Sequence, residues 1–330
     1  STAHYALNLE LFLENAHHSF MEVNPVLIKE YKKSTTLRRT KTDSVDCESI
    51  ARWLITVEYK PHSKGFYHAY SLKSLTRLRD RLIRQRSFYL VKITNVLDHT
   101  FPEFKPFFNE RLSKTALYLL ENYGSAEKMA RMNSASYDKL RCISRGKFSI
   151  QQFLRLKELA ANTVGVNNSI FDLELNTLLT LYKSLSDEIN TLETEIIKLI
   201  EEVHPHYMSI PGIGPISAAV IYAEYGDISN FSNPSQMLAF AGIEPGINDS
   251  GTESHGGRMV KHGSSQLRYV LLNACLPLIR FDLTFATYYE KKRAEGKKHR
   301  VAITHVAKKL IRVIYALERQ DVDFNAQKLR

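Results

Sequence analysis

Two aspartates three residues apart carry the first chemical signal in this chain. Asp43 and Asp46 stand in the run Arg38-Arg39-Thr40-Lys41-Thr42-Asp43-Ser44-Val45-Asp46. Apolar residues follow at Cys47, Ile50, Ala51, Leu54 and Ile55. Steps of three and four predict a helix with both carboxylates at the head of its apolar face. Two convergent carboxylates under a cluster of Arg and Lys suit a hard divalent cation bound beside a phosphate. Asp is also at home at a helix start, where it meets free N–H groups and the positive end of the helix dipole. Spacing alone leaves both readings open.

Ser250 is the second candidate. It lies in Ala241-Gly242-Ile243-Glu244-Pro245-Gly246-Ile247-Asn248-Asp249-Ser250-Gly251, followed by Gly256, Gly257 and Gly263 with Arg258, Lys261 and His262 between them. A serine on a glycine-rich loop beside cations can attack phosphorus once a base or metal activates its hydroxyl. Asn-Asp-Ser-Gly is equally an ordinary turn sequence.

The third signal is positive charge. Residues 69–98 read as one amphipathic helix carrying Lys73, Arg77, Arg79, Arg81, Arg84, Arg86 and Lys92, with only Asp80 and Asp98 to balance them. A surplus of that kind favours a phosphate-facing surface over a merely solvated one, with Arg77, Arg81 and Arg84 as its leading residues. The run from Lys291 to Arg300, with Lys297 and Lys298 at its centre, forms a basic loop, and Lys308, Lys309 and Arg312 extend the charge. In Ile210-Pro211-Gly212-Ile213-Gly214-Pro215, a tight turn precedes an apolar helix. Gly212 and Gly214 there let backbone N–H groups approach a phosphate at a helix N-terminus, as in helix-hairpin-helix motifs, although a plain turn reads the same way.

The 330 residues are 44% apolar, enough for a globular core, and 45 basic against 35 acidic residues leave a charge of +10. That balance points to a polyanionic partner. Three scattered cysteines, Cys47, Cys142 and Cys275, exclude a disulfide framework or zinc cluster and fit a reducing compartment. No apolar run approaches the ~20 residues of a membrane span. The start, Ser1-Thr2-Ala3-His4-Tyr5, lacks the pattern of a secretory leader.

The elements that must position these residues begin with a helix over 5–16, a candidate strand over Phe20 to Val23, and a helix opened by Pro25. That order is part of an α/β unit. Several short helices follow over 102–167. Residues 171–203 repeat Phe171, Leu175, Leu178, Tyr182, Leu185, Ile189, Leu192, Ile196, Leu199 and Val203 in steps of four and three, a coiled-coil seam over four heptads. A second copy of the chain is the preferred occupant of the seam; an intramolecular helix is the alternative. His204-Pro205-His206 ends the coil, and apolar helices are predicted over 216–225, 266–278 and 301–317.

Taken in order, these stretches resemble the DEDD transposases, the insertion-sequence recombinases related to pilin-gene inverting proteins. Ser1-Thr2-Ala3-His4-Tyr5 is similar to the end of the family's Glu-[Ala/Ser]-Thr-Gly-x-Tyr segment, with Ala3 replacing its Gly. Asn24-Pro25 is similar to its Asn-Pro step, Lys41-Thr42-Asp43-Ser44-Val45-Asp46 to its Lys-Thr-Asp-x-x-Asp motif, and Ile210 to Gly214 to its Pro-Gly-Ile-Gly hairpin. Phe240 to Pro245 through Ser250-Gly251 resembles its Ala-Gly-Leu-x-Pro…Ser-Gly stretch, and Arg258, Lys261, Gly263 and Leu267-Arg268 follow at suitable distances.

The resemblance implies a mainly α chain in three parts: a partial RuvC-like α/β domain of RNase H fold over 1–100, a helical insert and central coiled coil over 101–205, and a helical C-terminal transposase domain over 206–330. It implies Asp43 and Asp46 as the third and fourth members of an Asp-Glu-Asp-Asp set holding Mg²⁺ or Mn²⁺, and Ser250 as the nucleophile that takes a DNA strand as a phosphoserine. It further implies DNA and a structured bridge RNA as partners, a dimer or tetramer joined through 171–203, and a bacterial, nucleoid-associated setting. Arg77, Arg81, Arg84, Gly212, Gly214, Arg258, Lys261, Lys297 and Lys298 would contact nucleic acid. The family's first Asp and its Glu have no counterpart before Ser1-Thr2 in this sequence. Three readings therefore stand: a serine recombinase, a remnant that only binds nucleic acid, and a RuvC-like nuclease in which water attacks.

Overall fold

The computed structural model describes residues 6–21, 23, 25–35, 42–59, 66–109, 112–250, 253–259 and 263–329. The chain divides into two compact units, Ser1–Phe66 and Tyr67–Arg330, so the division falls inside the stretch expected to form the first domain.

The first unit contributes three helices, α1 (Ala6–Asn15), α2 (Pro25–Thr35) and α3 (Asp43–Thr56). Phe20, Met21 and Val23 belong to no strand, so the strand expected there is not observed. Among the described residues of this unit no strand is assigned. The RNase H-like sheet is therefore not among them. The apolar face of α3 also departs from expectation. Ile50 and Leu54 are exposed, Ile55 is 85% exposed, and Trp53 is the residue that α3 buries. Periodicity identifies such a face correctly, but burying it takes a second layer.

The second unit is built on two 35-residue helices, α4 (Phe66–Thr100) and α10 (Ser169–Val203). They run antiparallel. Arg79 Nε donates to Glu193 Oε1 at 2.8 Å, and twenty residues further along α4 the His99 ring stacks on Phe171, near the opposite end of α10. Of the seam, Leu175, Ile189 and Ile196 are buried within the chain, with Leu179 and Ile200 beside them, and the remaining seam positions are half-buried. Part of the seam thus packs against the chain's own helices, which is the intramolecular alternative, while seven seam positions keep partial exposure.

Two cores form along this hairpin. One gathers Ile93, Val96 and Leu97 of α4 and Leu175 and Leu179 of α10 with the short helices α5 (Phe104–Phe107), α6 (Lys114–Tyr123), α7 (Ala126–Ala130), α8 (Ser134–Ile143) and α9 (Ile150–Ala161). Ser113, Ser125, Asn133 and Ser149 cap α6 to α9, each accepting a backbone N–H three residues on. The other core joins Leu72, Ile196 and Ile200 to α11 (Pro215–Tyr225), α12 (Pro234–Ala241), α13 (Ser265–Phe281), α14 (Leu283–Ala294) and α15 (His299–Gln320). Burial pushes the Cys275 thiol of α13 up to about 12, which makes it an unreactive part of that core. Between α12 and α13 runs a two-stranded antiparallel hairpin, β1 (Pro245–Ser250) and β2 (Glu253–Met259). No single helix among the described residues is long and apolar enough to cross a membrane.

Two details near the 206–214 turn hold this core together. Gly212 has φ +95°, and a Cβ there would lie 2.6 Å from Pro277 Cγ of α13. His206 joins the turn to the chain end, with Nδ1 2.9 Å from Asp323 Oδ1 and Nε2 2.9 Å from Asp321 Oδ1. Ser209 Oγ accepts the Phe324 N–H beside it, and Glu318 accepts the Tyr207 N–H. The hydrogen bonds to Asp323 and then Asp321 raise the His206 pKa, because both ring nitrogens can donate only as imidazolium.

Gly212→Ala should cost about 3 kcal/mol, from left-handed strain plus overpacking against Pro277, and lower the thermal midpoint by several degrees. The His206 contact should be fully present below the unfolded value of about 6.5 and be lost as pH rises through the higher folded value. Hydrogen exchange at the Val322–Phe324 amides should therefore speed up with pH beyond its intrinsic trend, and Asp323→Asn should reduce that excess.

Candidate functional site

Asp43 and Asp46 occupy the first turn of α3, but neither is its N-cap. Thr42 is: its backbone is extended and its Oγ1 accepts the Val45 N–H at 3.4 Å. Asp43 is exposed and Asp46 half-buried. Lys32 Nζ of α2 donates to Asp46 Oδ1 at 2.6 Å, so one of the two carboxylates already has a cation. Both carboxylates thus stand at the start of α3, and the apolar face they were expected to head is itself largely exposed. A divalent ion of the Mg²⁺ type takes six oxygens, often with one or two carboxylates and waters, beside a substrate phosphate. Among the described residues no group of three or more His, Cys, Asp and Glu could hold a metal. This pair, half neutralised by Lys32, does not by itself fit a catalytic divalent ion.

Ser250 ends β1, where its backbone pairs with Glu253 of β2. The loop expected around it is a strand: Asn248 faces His255, Asp249 faces Ser254, and a bulge between Pro245 and Ile247 shifts the register. Antiparallel pairing satisfies backbone groups that a turn would leave to water, which outweighs the turn propensity of Asn-Asp-Ser. Gly251, Lys261 and His262 lie outside the described residues, as do Ser1–Tyr5, Asn24 and Lys41. Arg258 is on β2.

The basic candidates separate once their partners are known. Arg77 is taken: its Nε and second guanidinium nitrogen donate to the two oxygens of Glu224 at 2.9 and 3.1 Å, and Lys73 lies 3.8 Å from the same carboxylate. Glu224, on α11, has a side chain only 2% exposed, so Arg77 compensates a buried charge and is not spare for phosphate. Arg84 pairs with Asp80 at 2.8 Å but stays largely exposed, and Arg81 is exposed with no ion pair among the described residues. Nothing local in the sequence marks Arg77 as different, since its partner is 147 residues away.

Gly212 and Gly214 also part company. The close approach at Gly212 is to α13, within the protein. Gly214 has open space around it and N-caps α11 without a side-chain cap, followed by Pro215, so the helix start keeps backbone donors available. Lys297 and Lys298 are exposed in the turn between α14 and α15. Sequence reasoning passed over His305 on α15. Burial first, then Lys308, Lys292 and Lys297, lowers its pKa, so it is neutral at pH 7 within a cationic surface. The sequence carries one signal for it: His305 stands three residues before Lys308, on the same helix face.

Comparison with known proteins finds matches at both ends of the chain. Residues 205–290 match the transposase model of the IS116/IS110/IS902 family, and residues 1–102 match a transposase model of the DEDD type named for IS110. Together the two models span more than half of the 330 residues. The chain belongs to the DEDD transposase family of the IS110 group. It is 27% identical over 245 residues to an uncharacterized 43.6 kDa protein of insertion element IS110 from Streptomyces coelicolor, covering 72% of this chain and 60% of that protein. It is 28% identical over 298 residues to a 42 kDa protein of insertion element IS900 from Mycobacterium paratuberculosis, covering 84% and 71%. A pilin gene-inverting protein of Moraxella bovis is 27% identical over 149 residues, 42% of this chain and 46% of that protein. This chain thus spans about three-fifths of its IS110 relative.

If Thr42 is the cap, Thr42→Ala should cost about 1 kcal/mol in urea unfolding of the first unit. Asp43→Asn, which removes only a favourable charge at the helix start, should cost under about 0.5 kcal/mol.

Proposed function

We propose that this chain acts as the transposase of an insertion sequence, a DNA recombinase that cleaves and rejoins strands through Ser250. The observation that carries the reading is the match of both ends of the chain, in order, to transposase families. The basic surface and the position of Ser250 at the end of a strand support it.

The chemistry follows from a serine hydroxyl meeting a phosphodiester. Its oxygen forms a bond to phosphorus while the bond to the departing deoxyribose oxygen breaks, and the serine proton ends on that oxygen by way of solvent or a base. The phosphoserine keeps the bond energy of the diester, so a hydroxyl from another strand can reverse the step without a nucleotide cofactor. Cations around the phosphate, among them Arg258, Lys261, Lys297 and Lys298, stabilise the charge that builds up in the transition state. Asp43 and Asp46 belong to this reading as two carboxylates of a divalent-metal set that the described residues do not complete. A structured bridge RNA, choosing sites by base pairing, is the further partner it includes.

A second reading is favoured by one observation. With Asp46 held by Lys32 and no third ligand among the described residues, the chain would bind nucleic acid without cutting it.

Incubation with end-labelled DNA and Mg²⁺, followed by denaturation, separates the two. A recombinase leaves a protein–DNA adduct that Ser250→Ala abolishes; absence of any adduct from the unmodified chain would sink the serine mechanism for it. Asp43→Asn should abolish cleavage while leaving salt-sensitive DNA binding within about twofold, and unchanged cleavage would show that this carboxylate has no part in the reaction.

A further inference from the structure

From Lys291 to Arg312 the sequence carries nine lysines and arginines against one acid, Glu295. Lys292 has already taken that acid, with its ammonium 2.9 Å from both carboxylate oxygens. The structure sorts the remaining cations. Lys309 turns onto aromatic rings, 5.1 Å from the centroid of Phe285 and 5.3 Å from that of Tyr288, which holds it against the protein. Arg293 closes the corner by donating to the Lys297 carbonyl at 2.8 Å. Lys297 remains at the corner, and His305, Lys308 and Arg312 follow along α15 at steps of three and four, which places them on one face of the helix.

The members of this row act on one another. Lys308 and Lys297 both bear on His305, and Arg312 bears on Lys308. Glu244 is the acid that offsets Lys308. It is also the residue immediately before β1, the strand that ends in Ser250. The row therefore runs from the α14–α15 corner to the foot of the Ser250 strand. From its start to Arg312, α15 rises about 20 Å, a length along which duplex DNA presents roughly ten charges on its two strands. Lys297, Lys308 and Arg312 outnumber the acid Glu244 along that length, which asks for a polyanion, and the foot of β1 begins the strand that carries the candidate nucleophile at its other end.

We propose that Lys297, His305, Lys308 and Arg312 form a track for the phosphate backbone of duplex DNA, leading one strand to the foot of β1. The choice of DNA over RNA rests on the serine-recombinase reading. Recognition on the track is by charge and is independent of sequence.

The test is a fluorescence-anisotropy titration of a labelled 30-base-pair duplex between 50 and 200 mM salt, using the whole chain. The triple variant Lys297→Ala, Lys308→Ala, Arg312→Ala is compared with Lys128→Ala, Lys139→Ala, Arg155→Ala, which removes the same charge from exposed positions on α7, α8 and α9. The track triple should lose at least tenfold in affinity at 100 mM salt and lower the log–log salt slope by about 3, and the comparison triple should lose less than about threefold. Equal losses, or no loss from the track triple, overturn the proposal. Should the track triple unfold, the single changes at exposed Lys297 and Arg312 decide, each expected to weaken binding at least threefold. A hairpin RNA of equal length forms the second arm: tighter RNA binding that is lost in the track variants overturns the assignment to DNA. If the unmodified chain forms no adduct but the track triple loses duplex binding, the serine mechanism falls and the track stands.

Discussion

A carboxylate in an apolar core needs a fixed cation, and in this protein that requirement governs the larger unit. Glu224 sits on α11 among buried alanines and isoleucines, and leaving it unpaired would cost several kcal/mol. The fork of Arg77 meets both of its oxygens, which fixes the rotation of α4 as well as its position. With α4 held in that way, Ile93, Val96 and Leu97 share one core with Leu175 and Leu179 of α10, and Leu72 shares the other with Ile196 and Ile200. The consequence for function is a division of labour among basic residues. Those near Glu224 are structural. In the proposed reading, phosphate contact falls to Arg81 on α4, which has no ion pair among the described residues, and to the proposed track along α15.

Much of this was legible in the sequence, and what was legible has one physical character. The extents of the helices follow from local periodicity and capping: residues 69–98 became Phe66–Thr100, residues 171–203 became Ser169–Val203, and residues 301–317 became His299–Gln320. The order of motifs gave the family. What sequence did not yield was always the identity of a distant partner. The seam of α10 announces that it needs a helix but not whose. Arg77 and Arg81 look alike until Glu224 is found beside one of them. The Ser250 stretch has the composition of a turn, and only its pairing with Glu253 to Met259 makes it a strand. Asp43 and Asp46 were ambiguous between capping and metal binding. The structure gives the cap to Thr42 and a lysine to Asp46, and leaves Asp43 in the first turn, where its charge suits the helix dipole, without completing a metal site.

The two units also differ in how far they satisfy their own surfaces. The larger one buries its helix faces in two cores. The smaller one leaves Phe12, Val26, Leu27, Leu54 and Ile55 exposed over a few dozen residues. The candidate nucleophile thus stands in the unit that contains both described cores, and the candidate carboxylates stand on a helix that buries Trp53.

The paired long helices carry a further consequence, for how the molecule can change over evolutionary time. Both cores read their geometry from the same two rods, and the Arg79–Glu193 bond and the His99–Phe171 stack lie twenty residues apart on α4. Inserting or deleting one residue between those contacts would turn everything beyond it by about 100° and shift it by about 1.5 Å. The far core would then face the wrong way, and no side-chain adjustment could restore it. The span is thus fixed in phase as well as in length. Relatives that keep both cores should vary in the connections between the short helices and hold the residue count of this stretch of α4 constant, like two gears cut to one pitch.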